Sequence, residues 1–442
     1  MKFKNSYIHT TTPKVSPANK IYQPSIYYHS KTCLVSLIHC LSSNSFGYVS
    51  LMSGLRELEK FKNEYIVFDE CLYYDSAGYS IIAGDVSPSD AYKFIECYTK
   101  ALSEHRDIYD FIFSLDIPIF LSYPDKNTKA NIYEYNHRSL YKSIEVIKQY
   151  PEIRSKFCFV NQFKLKSQYE IWGYLYENLE IYKYHQNFAI GGLVGLSAIV
   201  NLQFAPFIGP LYWQLYQYHK HSNLKYPFYS HILGIYHKSY RFMLYFMMEL
   251  FNRYLNPDQQ TYITYDTINY TISSMYKSKV GLDYYAIENN KLLVYHSHDL
   301  KDDLLFGIYK TEHCLNSYHE NLDRIDAGSP LTDTTFLVPL NISSQLNLDE
   351  FFKYYIQYYN MVDILLQHPN NPAKFINNIK PIINSLATFP TLTNNFTSQV
   401  LESLRIVSIF HSWYINDKGN KEKLDDLMYK FITKINFPFE LG

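Results

Sequence analysis

A chain of 442 residues with 47% apolar and 19% charged positions has the composition of a folded protein, long enough for one large domain or two to three ordinary ones. Lys and Arg number 41 against 42 Asp and Glu, so the net charge of -1 excludes a polybasic tail and leaves a nucleic-acid partner to be met by a local patch. An aromatic share of 18%, with Gly 15 and Pro 18, excludes a low-complexity or disordered chain.

The first residues, Met1-Lys-Phe-Lys-Asn5, carry no apolar stretch behind their basic positions, so no signal peptide is expected. Cys33 to Leu41 is the first strand candidate. Tyr65-Ile-Val-Phe68 leads into an Asp-rich turn ending at Asp75, and Pro88 opens a helical pattern over Ser89 to Ser103. Ile112-Phe-Ser-Leu115 ends at Asp116 and is followed by a helical pattern from Ile132 to Gln149, stopped by Pro151. Phe157-Cys-Phe-Val160 ends at Asn161 and Gln162, ahead of a helix over Gln168 to Leu179. Phe188-Ala-Ile190 ends at Gly191 and Gly192, ahead of a helix over Tyr212 to Lys220. Tyr229 to Leu233 ends at Gly234, and a helix over Ser239 to Leu255 separates it from Tyr262-Ile-Thr-Tyr265, which ends at Asp266.

Strand, helix and strand following one another at roughly 30 to 45 residues is the pattern of βαβ units. The count of units predicts an α/β fold, a TIM-like (β/α)8 barrel, in which the carboxyl ends of all strands meet at one face. That geometry would gather Asp75, Asp116, Gln162, Gly192 and Asp266. From Leu348 onward four amphipathic stretches, Leu348 to Gln367, Ala373 to Leu386, Thr397 to Ile415 and Glu422 to Ile435, predict a helical appendage. The expected division is therefore a barrel over residues 1–345 and a helical region over 346–442.

The longest apolar run, Phe188 to Val200, holds three glycines and is shorter than the roughly twenty residues that cross a bilayer, so no membrane association is expected. Cys33, Cys40, Cys71, Cys97, Cys158 and Cys314 lie far apart without a C-x-x-C pair, and read as reduced thiols of a cytoplasmic protein.

Three aspartates at strand ends form the sharpest chemical constellation. Glycosyl transfer needs two carboxylates at a sugar carbon, one attacking to form an ester and the other moving a proton to or from the leaving group. A third could bind the amidine edge of guanine. For each aspartate alone, a turn or helix-cap role is the competing reading.

On these residues the chain resembles the tRNA-guanine transglycosylase superfamily. Asp75-Ser-Ala-Gly-Tyr79 is similar to that family's D-S-G-G-F/Y motif, and Ala189-Ile-Gly-Gly-Leu193 to its A-V-G-G-L segment. His231-Ile-Leu-Gly234 resembles the strand that ends in a Met/Leu-Gly pair, and Asp266 falls where the family carries its nucleophile. The likeness runs from about residue 30 to 270, over half of the chain.

The resemblance implies Asp266 as nucleophile, Asp75 as general acid and base, and Asp116 with Gln162 on the pyrimidine edge of the base. It implies main-chain contacts from Gly191, Gly192, Leu193 and Gly234, an apolar sandwich of the purine by Tyr79 and Leu233, and no cofactor. Phe68-Asp-Glu-Cys71 also spells a family tetrapeptide, but Asp69 and Glu70 read as turn or edge residues, because Asp69 would force two strand ends into seven residues.

The chain departs from the tRNA enzymes where they hold zinc, since that region has only Cys314, with His296, His298, His313 and His319 around it in no known zinc spacing. The Arg-bearing stretch after the nucleophile is replaced by Asp266-Thr-Ile-Asn-Tyr-Thr271, and the acidic residue after the glycine segment by Leu196. These losses resemble the DNA-modifying branch, found in bacterial modification clusters and phages, which inserts 7-deazaguanine bases such as preQ0 into DNA. The expected partners are DNA and such a base, with tRNA or a non-catalytic binding role as alternatives. Lys220, Lys225, Lys238, Arg241, Lys277 and Lys279 are the candidate phosphate contacts, each competing with a solvated surface charge.

Overall fold

The computed structural model describes residues 7–11, 32–36, 71–75, 94–99, 111–116, 126–162, 180–184, 186–191, 204–221, 227–235, 237–255, 260–266, 283–288, 291–296, 334–389 and 391–432, with single residues at 52, 56, 103, 104 and 106. It is an α/β fold on a curled parallel sheet. The strands are β1 (Tyr7–Thr11), β2 (Thr32–Ser36), β3 (Cys71–Asp75), β4 (Phe111–Phe113), β5 (Phe157–Gln162), β6 (Asn187–Gly191), β7 (Phe228–Ile232) and β8 (Thr261–Asp266). Pairing runs from β1 to β8 in chain order and β8 pairs back to β1. Between β4 and β8 the connections carry α1 (Lys126–Gln149), α2 (Glu180–Tyr184), α3 (Phe204–His221) and α4 (Lys238–Asn252). The strand-helix alternation expected for the barrel over residues 1–345 is described for this half of it.

β6 and β7 are buried along their full length, as strands must be when helices cover one face and the inside of a curled sheet the other. One side-chain parity points inward: Phe111, Phe113, Cys158, Val160, Ala189 and Tyr229 pack together, with Leu233 and Tyr262 against them. The opposite parity, including Phe159, Phe188, Phe228, Ile263 and Tyr265, joins the large core under the helices. A one-residue slip in any of these strands would exchange the two sets.

Five strand positions, β4 to β8, follow the sequence reading closely, and three features do not. A strand runs over Cys71–Asp75, so Asp75 closes a strand itself instead of a turn, while Tyr65 to Phe68 lie outside the described residues. β1 and the antiparallel hairpin of β9 (Asp283–Glu288) and β10 (Lys291–His296) were not expected. The helix expected over Gln168 to Leu179 lies outside the described residues.

The C-terminal region is helical as read: α5 (Thr334–Tyr358), α6 (Met361–Leu366), α7 (Pro372–Ser385), α8 (Asn394–Asp417) and α9 (Lys421–Ile432). The expected single helix Leu348 to Gln367 is broken at Asn360, which takes a left-handed φ of 46°. Asn371 caps α7 by accepting from the Lys374 N–H at 3.0 Å, with Pro372 in the first turn. Gly419 (φ 87°) ends α8, and a Cβ there would lie 2.5 Å from the Tyr216 hydroxyl of α3.

The expected boundary at 345/346 falls inside α5. α4 packs on β8 and also on α5, α6 and α8, and α8 and α9 pack on α3. Residues from both sides of the boundary share one apolar core, so the helices complete the burial of α3 and α4 instead of forming a separate unit.

A polar joint sits in this packing. His411 of α8 is fully buried between the hydroxyl of Tyr212, 3.2 Å from Nδ1, and that of Tyr254, 3.0 Å from Nε2. Burial holds its pKa at about 4, against an unfolded value of 6.5. The folded state therefore resists a proton that the unfolded chain accepts. Stability is complete above pH 6.5 and falls between there and pH 4, by about 3 kcal/mol in total. Urea unfolding across that range is expected to show this extra acid loss in the native chain and not in His411→Gln.

Candidate active site

Because every pairing in the curled sheet is parallel, its strands end on one rim. Asp75, Gln162, Gly191 and Asp266 each close a strand, and Asp116 lies just beyond β4. Asp75 pairs in register with Ser36, Gln162 with Gly191, and Asp266 with Ile8. β3 and β8 are connected through β2 and β1, so the two aspartates proposed for chemistry belong to the same rim.

Asp266 has the most defined surroundings. Its Oδ1 accepts from the Gly234 N–H at 2.9 Å and from His231 Nε2 at 3.2 Å. Gly234 sits in the turn after β7 with φ 74°, a conformation that costs glycine little and strains other residues. The same turn is tied back to β6, where the Leu233 N–H donates to the Ile190 carbonyl at 3.0 Å. Oδ2 takes no hydrogen bond among the described residues, and the side chain is 14% exposed. The result is a carboxylate with one oxygen held by two N–H donors and the other presented at the rim.

Below it the inner face is polar for one further layer and then aromatic. His231 is fully buried; its Nδ1 lies 2.8 Å from Thr264 Oγ1, which lies 2.8 Å from the Tyr229 hydroxyl. The Phe113 ring is 5.0 Å from the imidazole, and Phe111 stacks on Tyr229 at 4.7 Å. Cys158 also points inward, but burial pushes its thiol well above the ordinary range, which makes it a poor nucleophile. Asp266 is thus the inner-face group among the described residues best placed to attack a bound molecule.

The other expected binding residues divide by position. Asp116 is buried, Leu233 is half-buried against the inner aromatics, and Gly191 and Gly234 lie at the rim. Tyr79, Gly192 and Leu193 lie outside the described residues, as do Asp69, Glu70 and the side chains of Asp75 and Gln162.

Among the expected phosphate contacts, the one at Arg241 needs correction. Arg241 is fully buried, because its guanidinium is held from three sides: Nε donates to Asp349 Oδ1 at 2.8 Å, one terminal nitrogen to Gln345 Oε1 at 2.6 Å, and the other to Asp349 and the Gln345 carbonyl. Asp349 Oδ2 also accepts from the Tyr245 and Tyr265 hydroxyls at 2.6 and 2.9 Å. No phosphate reaches a guanidinium spent in this way. Lys238 is half-buried, its ammonium over the Tyr285 ring and 3.5 Å from the Thr391 carbonyl, so it packs toward the C-terminal helices. Lys220 is exposed in the last turn of α3. Lys225, Lys277 and Lys279 lie outside the described residues.

Among the described residues no three His, Cys, Asp or Glu side chains converge as a metal site. His296 closes β10, while His298, His313, Cys314 and His319 lie outside them. No helix of the described residues is long and apolar enough to cross a membrane.

Sequence reasoning missed Thr264 and Tyr229 as parts of the site and gave His231 no role. The signal was the parity of Tyr229, His231 and Leu233 on one strand, and of Tyr262, Thr264 and Asp266 on the next. Set against models of known protein families and against curated proteins, the chain matches none.

Proposed function

We propose that the chain is a base-exchange enzyme related to the tRNA-guanine transglycosylases, built on a complete TIM-like (β/α)8 barrel, and that it replaces guanine in DNA by a 7-deazaguanine such as preQ0 in the cytoplasm of a bacterial cell or phage-infected host. The observation that carries the reading is the Asp266 carboxylate, tethered through Oδ1 with Oδ2 unengaged among the described residues, on the rim shared with Asp75.

In this reading the target nucleotide leaves its stack and enters the rim, where Asp116 and Gln162 bind the pyrimidine edge of guanine. Oδ2 of Asp266 attacks C1′ of the sugar. The C1′–N9 bond breaks, its electron pair goes to N9, and Asp75 supplies the proton that makes guanine a neutral leaving group. The incoming deazapurine loses its N9 proton to Asp75 and attacks C1′ through N9, and the ester bond breaks to restore the Asp266 carboxylate. Leu233 and Tyr79 supply the apolar faces that a flat base needs. No redox step or external energy source enters, because the ester retains the energy of the broken glycosidic bond.

Support for DNA over RNA comes from the missing tRNA-directed stretches. The test is mass spectrometry of nucleosides from DNA and tRNA of cells that express the chain with a preQ0 source. Deazapurine deoxynucleosides are the expected product. Modification confined to tRNA moves the assignment to an RNA substrate, and an unmodified pool of both overturns base exchange.

A further inference from the structure

The interior of the curled sheet contains a hydrogen-bonded chain that ends on the attacking group: Tyr229 hydroxyl, Thr264 hydroxyl, His231 imidazole and Asp266 carboxylate, with links of 2.8, 2.8 and 3.2 Å. We infer that His231 is a positioning residue for base return, holding Asp266 Oδ1 so that the carboxylate leaves the sugar readily. The inference rests on the base-exchange reading and adds a role to a residue that reading leaves unused.

The direction of the chain follows from what each group is able to donate. An ionised carboxylate only accepts, so the proton on Nε2 points at Asp266. Nδ1 then accepts the Thr264 hydroxyl hydrogen, and the Thr264 oxygen accepts from Tyr229. With a neutral imidazole, every link has one donor and one acceptor, and the chain sets a single tautomer and ring plane. The Phe113 ring 5.0 Å away, and the complete burial of His231, leave the imidazole little room to turn. The Gly234 N–H supplies the second donor to the same oxygen at 2.9 Å.

Two donors on Oδ1 act unequally along the reaction. Once Oδ2 is bonded to C1′, Oδ1 is the carbonyl oxygen of a neutral ester and its hydrogen bonds are weak. As the returning base attacks, the C1′–Oδ2 bond breaks and its electron pair spreads over both carboxylate oxygens, so negative charge grows on Oδ1. Donors already aimed there strengthen as that charge develops, as in an oxyanion hole. In the forward step the same donors stabilise the starting carboxylate and give no comparable gain. His231 therefore assists resolution of the ester more than its formation, and its loss should let the covalent species accumulate.

The experiment is a single-turnover assay with guanine-containing hairpin oligonucleotides, in deoxy and ribo forms, and tritiated guanine as the returning base. It reads both uptake of label and the denaturant-stable protein–oligonucleotide adduct. His231→Phe is expected to lower uptake by about 10- to 100-fold, the size of a lost charge-assisted hydrogen bond, while the ratio of adduct to uptake rises. His231→Gln, which restores an N–H donor, should recover most of the uptake. Thr264→Val keeps the imidazole but removes its anchor, and should shift the same ratio in the same direction by less. That variant decides the matter if His231→Phe does not fold. An unchanged ratio in the folded variants, with exchange intact in the wild type, overturns the role of His231 alone. A wild type that forms neither adduct nor exchanged product overturns base exchange, and this inference with it.

Discussion

Asp266→Asn is expected to reduce guanine exchange by roughly 10⁴-fold and to abolish the covalent adduct, the scale on which loss of a nucleophile or its partner acts. The substitution is nearly isosteric. The Asn side-chain oxygen can still accept from the Gly234 N–H and from His231, the two donors now 2.9 and 3.2 Å from Oδ1. What is lost is the second oxygen, whose lone pair attacks the sugar in the proposed reaction. The structural cost should be small, about 1 kcal/mol for exchanging a charged acceptor for a neutral one. Thermal unfolding and labelled-guanine uptake measured on the same preparation separate the two effects. A stable variant that still exchanges guanine within tenfold of the native rate would remove Asp266 from the role of nucleophile.

The second large effect is on folding. Arg241→Met is expected to destabilise the protein by about 3 to 5 kcal/mol, because it leaves the buried Asp349 carboxylate without its ion-pair partner. The Tyr245 and Tyr265 hydroxyls still donate to Asp349 but carry no charge. Arg241→Met combined with Asp349→Leu should cost less than Arg241→Met alone, since an apolar pair of similar volume needs no compensation. Urea titrations of the two variants test this. A surface phosphate contact would behave oppositely: Arg241→Met would leave the midpoint unmoved and reduce the salt dependence of nucleic-acid binding. Because Tyr265 immediately precedes Asp266 on β8, this buried network also braces the strand that carries Asp266.

Both predictions turn on residues whose neighbours are distant in sequence. Asp349 lies 108 positions from Arg241, and no pattern within either helix announces the pairing. Arg241 in a helix near a strand end reads locally as a basic surface residue, and that local reading failed. His231 is similar: as part of His231-Ile-Leu-Gly234 it marked a strand, but its hydrogen-bond partners are Thr264 and Asp266 of the adjacent strand. The alternation of inward and outward positions placed all three on the same face; register alone made them neighbours.

Much of the framework was local and hence legible. Apolar runs closed by polar residues or glycine located the strands ending at Gln162, Gly191 and Asp266, and three- and four-residue periodicity located the helices after residue 334. Short extended segments with weaker runs, such as Tyr7–Thr11 and Cys71–Asp75, were missed or misplaced, because a five-residue strand is selected by its partners more than by its own side chains. Asn360, in a left-handed conformation, divided what periodicity joined into one helix.

By itself, then, the order of residues determined which segments are strands and helices along most of the described chain, and which acidic side chains stand at strand ends. Tertiary structure decided what touches them: the Gly234 and His231 donors on Asp266, the burial of Arg241 against Asp349, and the fusion of the C-terminal helices with α3 and α4 in one core. The division is physical. Periodicity reports how a segment divides its own side chains between water and protein, whereas a hydrogen bond or ion pair also depends on the partner's position, which the intervening chain leaves open until the core has closed.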